Sequence, residues 1–138
     1  AILMPMIYKP KDIKKNKNYV VISHHSIQSE KGTLSPVTTD YISFINKILE
    51  AELVISSSLH GIILAEAYGV PAVMLGNSQL DRFKYYDWYY STERYDFPVA
   101  QSVEEALHMK PVCLPNLSTM TKQVVEAFPE KLWHKQNT

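Results

Sequence analysis

The sequence predicts an α/β fold built on a parallel sheet. Short apolar runs alternate with helix-spaced segments in the order strand, helix, strand, helix, strand. Each run is continuously apolar rather than alternating, as in strands buried on both faces. A chain of 138 residues also matches one domain, on a prior of about 100–200 residues per domain.

The elements follow in order. Lys9 to Asn18 carries five lysines and a proline, the chemistry of a solvated, self-repelling linker. Residues 1–18 are therefore expected to be a linker or the remnant of a preceding domain, and residues 19–138 the folded domain; a solvated approach to the first strand is the simpler alternative. Tyr19-Val20-Val21-Ile22-Ser23 reads as the first buried strand, ending in His24-His25-Ser26. Ser29 to Thr39 reads as loop. Thr39 or Asp40 can cap a helix to about Ala51, with Tyr41, Phe44, Ile45, Ile48 and Leu49 at helical spacing. Leu53-Val54-Ile55 is a second strand, closed by Ser56-Ser57-Ser58. Leu59 to Tyr68 is the next helix, with Gly69 at its C-terminal cap. Pro71 to Leu75 is a third strand, stopped by Gly76. From Asp81 to Thr92 the chain is crowded with aromatics and shows no clear period. Phe97-Pro98-Val99 reads as extended, Ser102–Met109 as a short helix, and Asn116–Phe128 as a final helix before Pro129 and the tail Leu132-Trp133.

Charge and cysteine content exclude several classes. Fourteen basic and fourteen acidic residues cancel, which disfavours a nucleic-acid binder driven by phosphate neutralisation. The single cysteine, Cys113, leaves neither an internal disulfide nor a Cys-rich zinc site. His24-His25 without a carboxylate at fitting spacing makes a poor metal site, so no metal is expected. No apolar run approaches the ~18 residues of a membrane span. The expected address is the cytoplasm, either free or at the inner face of the membrane.

Ser56-Ser57-Ser58-Leu59-His60-Gly61 is the segment with chemistry. It lies where a parallel strand hands over to a helix, the edge at which open α/β sheets bind ligands. A helix start offers unpaired N–H groups and about half a positive charge. Small residues let an anion approach, and His60 would stand in the first turn, able to exchange a proton near neutral pH. Phosphate or carboxylate binding is one reading. Simple capping by serine, with a structural histidine, is the other. Glu66, six residues after His60, faces elsewhere and is expected to bond a neighbouring helix. Asp87 is placed to hold Lys84 at i, i+3. The aromatics of Phe83–Tyr90 either stack a sugar ring or pack a core.

Ser57 to Pro71, with its Leu-His-Gly helix start, Ala-rich helix and Gly-Val-Pro lead into the next strand, resembles the polysaccharide pyruvyl transferase family. Ile22-Ser23-His24-His25, Phe83-Lys84-Tyr85-Tyr86-Asp87-Trp88, Phe128-Pro129 and Leu132-Trp133 resemble other elements of that family, in the same order. The resemblance implies a Rossmann-like domain like the C-terminal half of a two-domain GT-B-like glycosyltransferase. It implies transfer of pyruvate, as a ketal, from phosphoenolpyruvate to a saccharide in exopolysaccharide or cell-surface polymer biosynthesis. Phosphoenolpyruvate is then a donor substrate, with no cofactor, and the partners are the acceptor saccharide and the N-terminal half. Residues 1–138 alone are expected to fold without turnover. By the same resemblance His60 is the catalytic acid or a phosphate ligand. Ser57, Ser58, Leu59 and Gly61 form the donor-binding helix start, and Lys84, His24, His25 and Arg82 are further substrate-binding candidates. Many members carry arginine where this chain has Ser58; Arg82 is a substitute for that charge, or a plain surface residue. A nucleotide-sugar glycosyltransferase and a non-catalytic domain of a surface-polymer assembly are the rival functions.

Overall fold

The computed structural model describes residues 1–25, 32–76 and 82–130. Residues 26–31, 77–81 with Asp81, and the tail 131–138 carrying Leu132-Trp133 lie outside the described residues.

Four strands form one parallel sheet in the order of the chain: β1 (Lys17–Ile22), β2 (Ala51–Ser56), β3 (Ala72–Leu75) and β4 (Val99–Ala100). The register sets Ile22 against Ser56, Ser56 against Met74, and Leu75 against Ala100. Helices flank this sheet, which makes the domain Rossmann-like. They are α1 (Met4–Ile7), α2 (Tyr41–Leu49), α3 (Leu59–Ala67), α4 (Phe83–Ser91), α5 (Val103–His108) and α6 (Ser118–Glu126).

The apolar runs are continuous because both faces of the sheet are covered. Ile22, Val54, Ala72 and Met74 share one buried cluster with Phe44 and Ile48 of α2, Ile62 and Ala65 of α3, and Tyr85, Trp88 and Tyr89 of α4. The alternate residues Ile55, Val73 and Ala100 pack on Ala106 of α5. Successive strand side chains thus serve opposite cores. Of the apolar positions expected to face inward from α2, Phe44, Ile45 and Ile48 do so, whereas Tyr41 is exposed. Asp40 caps that helix, its carboxylate accepting from the Ser43 N–H at 2.9 Å. Gly69 takes φ +77°, the left-handed conformation a helix C-terminus favours in glycine.

Two segments differ from the sequence expectation. The first strand begins at Lys17, inside the lysine-rich stretch, and Tyr8 ahead of that stretch is anchored. Tyr8 donates to Asn46 Oδ1 at 2.8 Å, and Tyr68 donates to the Tyr8 carbonyl at 2.7 Å. The aromatic segment is a regular helix, α4. Tyr85, Trp88 and Tyr89 bury one face of it, while Phe83, Tyr86 and Tyr90 stay exposed on the other.

Candidate functional site

Parallel register brings the ends of β1 and β2 to one edge, so the loops carrying His24 and Ser57 leave the sheet side by side. The Ser57 N–H donates to the Ile22 carbonyl at 3.0 Å and extends the ladder to that edge.

Three serines build the turn into α3. Ser56 is fully buried; its hydroxyl accepts from the Ser58 N–H and donates to the Ser58 carbonyl, both at 2.9 Å. This ties the turn to itself. Ser58 is the N-cap, its hydroxyl accepting from the Gly61 N–H at 3.4 Å. The Ile62 N–H donates to the Ser58 carbonyl. The N–H groups of Leu59 and His60 have no acceptor among the described residues, as the first turn of a helix leaves them. Gly61 serves packing. A Cβ there would lie 2.7 Å from Ser56 Oγ and 3.0 Å from Ile22 Cδ1, so only glycine lets the helix sit this close to the sheet.

His60 is exposed, on the solvent side of a helix whose inward face is Gly61, Ile62, Ala65 and Glu66. It is neither buried under the helix nor part of the core. Ser57 and Ser58 are both buried.

Helix α4 closes over this edge. The Tyr85 hydroxyl donates to the Ser57 carbonyl at 2.6 Å, and burial pushes its pKa up to about 12, so it stays a donor. Lys84, half-buried, places Nζ 3.2 Å from His24 Nε2 and 5.2 Å from the Tyr85 ring centroid. His24 is only 7% exposed. Burial first, then the charge of Lys84 and the neighbouring His25, hold its imidazole below the usual histidine range. A neutral ring with Nε2 as acceptor is the form that fits an ammonium beside it. His25 is exposed, its ring centroid 4.1 Å from that of His24. Arg82 is exposed at the N-cap of α4 and caps nothing with its side chain.

The structure therefore gathers Ser57, Ser58, Leu59, His60, Gly61, Lys84, His24 and His25 at one sheet edge. It does not form the Asp87–Lys84 pair. Lys84 turns to His24, and no carboxylate pairs with it among the described residues. Nor do three or more His, Cys, Asp or Glu side chains converge as a metal site among the described residues. No helix of the described residues is long and apolar enough to cross a membrane.

Sequence reasoning placed Glu66 against a neighbouring helix but missed its cation. Arg94 grips the carboxylate with two donors, Nη1 to Oε1 at 2.5 Å and Nη2 to Oε2 at 2.9 Å. Trp88 Nε1 of α4 adds a third bond to Oε2 at 2.7 Å. Arg94 also donates to Thr92 Oγ1 and to the Cys113 carbonyl. This fork locks α4 onto α3, and so holds Lys84 and Tyr85 over the helix start. Nothing in local spacing links residues 66 and 94. Tyr85 was missed for the same reason: its partner, the Ser57 carbonyl, is 28 positions away.

Searches of curated proteins and of solved structures found no match to the chain. Residues 2–79 match the family model described as polysaccharide pyruvyl transferase. The match spans α1 through β3, including the anchored Tyr8, and stops before α4. It contains the strand-to-helix turn with Leu59-His60-Gly61, and more than half of the sequence lies within it. The chain belongs to the polysaccharide pyruvyl transferase family.

Proposed function

We propose that this domain supplies the donor-binding edge of an enzyme that transfers a pyruvyl group from phosphoenolpyruvate to a saccharide in surface-polymer synthesis. One observation carries the reading: among the described residues the N–H groups of Leu59 and His60 have no acceptor at the start of helix α3, and no carboxylate neutralises Lys84, which reaches the adjoining β1 loop at His24. Helix N–H groups, the helix dipole and an ammonium all favour an anion. Phosphoenolpyruvate carries two such groups, a phosphate and a carboxylate.

In the reaction, the enol methylene carbon gains a proton and becomes the methyl group. The two acceptor hydroxyl oxygens bond to the neighbouring carbon, whose bond to the phosphate oxygen breaks. Of the two hydroxyl protons, one balances that gained by the methyl group and the other leaves with phosphate. His60, exposed in the first turn, is the acid for the methylene carbon. The free N–H groups and Lys84 hold the departing phosphate, where charge builds as the bond breaks. His25, exposed at the same edge, and Arg82, exposed at the N-cap of α4, are the candidates to meet the acceptor or the donor carboxylate.

Incubation of the full protein with phosphoenolpyruvate and a pool of surface saccharides tests this. The expected result is inorganic phosphate together with a saccharide ketal. Release of a nucleoside diphosphate from a nucleotide sugar, with none from phosphoenolpyruvate, would establish the glycosyltransferase reading instead.

A further inference from the structure

We propose that His24 is a positioning residue whose ring holds the Lys84 ammonium in place without cancelling its charge. The proposal rests on reading this sheet edge as an anion site, and it gives His24 a role that involves no contact with substrate.

Lys84 Nζ lies 3.2 Å from His24 Nε2. An ammonium carries three donors and no acceptor, so the imidazole nitrogen accepts and the ring proton sits on Nδ1. Among the described residues one of the three donors is used, which leaves two for a ligand. A lysine side chain is otherwise among the most mobile. Tethering it fixes the direction of the charge before a ligand arrives, which lowers the ordering cost of binding. A carboxylate would tether it as firmly but would neutralise it.

The same domain shows the contrasting design: Arg94, whose task is to lock two helices, is paired with a carboxylate, Glu66. Lys84 has Asp87 at i, i+3 yet is paired with an imidazole instead. The tether also has a rigid base. Tyr85, the next residue, bonds the Ser57 carbonyl at 2.6 Å, so the ammonium, the β1 loop and the start of α3 are held as one unit.

The test uses the full protein, with inorganic phosphate as the binding probe and phosphoenolpyruvate for turnover. Lys84→Met is expected to weaken phosphate binding and raise KM roughly tenfold, the scale of one lost charged hydrogen bond. His24→Leu should produce most of that loss, mainly in KM rather than kcat. His24→Gln, which still offers an acceptor, should recover most of it. His24→Glu keeps a partner for Lys84 but cancels its charge, and should bind phosphate as poorly as Lys84→Met. The double variant His24→Leu/Lys84→Met should be no worse than Lys84→Met alone, because one residue acts through the other. Additive losses, or phosphate binding retained in His24→Glu, would overturn the proposal; the latter comparison stands even where His24→Leu fails to fold. The phosphate arm does not depend on pyruvyl transfer. Normal phosphate effects without turnover of phosphoenolpyruvate would count against the proposed reaction and leave the tether supported.

Discussion

Arg94→Met is expected to destabilise the domain by about 3–5 kcal/mol, the usual cost of breaking a buried ion pair from one side. Arg94 and Glu66 are 5% and 4% exposed, so little water reaches either group. Removing the guanidinium leaves the Glu66 carboxylate with only the Trp88 N–H from this network. It also removes a cation 4.7 Å from the buried Tyr89 ring and frees the Cys113 carbonyl. Methionine fills part of the volume but satisfies none of these groups. Pairing the change with Glu66→Leu should recover part of the loss, because the uncompensated charge is then gone. Urea unfolding of the single and double variants measures both effects. A single-variant loss under about 1 kcal/mol, the range of a surface pair, would show that the fork does not hold α4 on α3.

His60→Ala carries the largest expected effect on activity. It should lower turnover by roughly 100-fold or more, the scale of a positioned acid–base group. Stability should change by no more than about 0.5 kcal/mol, because the side chain is exposed and fills no cavity. Phosphate release by the full protein, followed beside its thermal unfolding, separates the two. A near-normal rate would remove His60 from the chemistry. A large drop in melting temperature would make it a structural residue. The structure favours the small change in stability, because the turn is held from beneath, by Ser56, Ser58, Gly61 and Tyr85, and not by His60 itself.

Much of this arrangement was legible in the chain. Val20 to Ile22, Leu53 to Ile55 and Ala72 to Leu75 read as buried strands because each faces a core on either side, which removes the polar alternation of a half-exposed strand. The turn at Ser58 was legible because capping is a local matter between residues three apart. Helix α4 was not. Aromatics occupy both its faces, with Tyr85, Trp88 and Tyr89 inward and Phe83, Tyr86 and Tyr90 outward, so composition masked the helical period. The Lys84–Asp87 pair was a sound local expectation overridden by tertiary placement. Lys84 lies within reach of a buried histidine from another element, and Asp87 faces solvent. The fork on Glu66 joins residues 28 positions apart, beyond any local rule.

The central claim is that the start of α3 binds the anionic donor. Amide NMR of the full protein titrated with phosphoenolpyruvate tests it most directly. The N–H signals of Leu59 and His60 should move together and saturate over the concentrations that saturate turnover, since hydrogen bonds to an anion form there. Lys84→Met should shift that saturation to higher concentration. Turnover that saturates while the Leu59 and His60 amides stay unmoved would contradict the account.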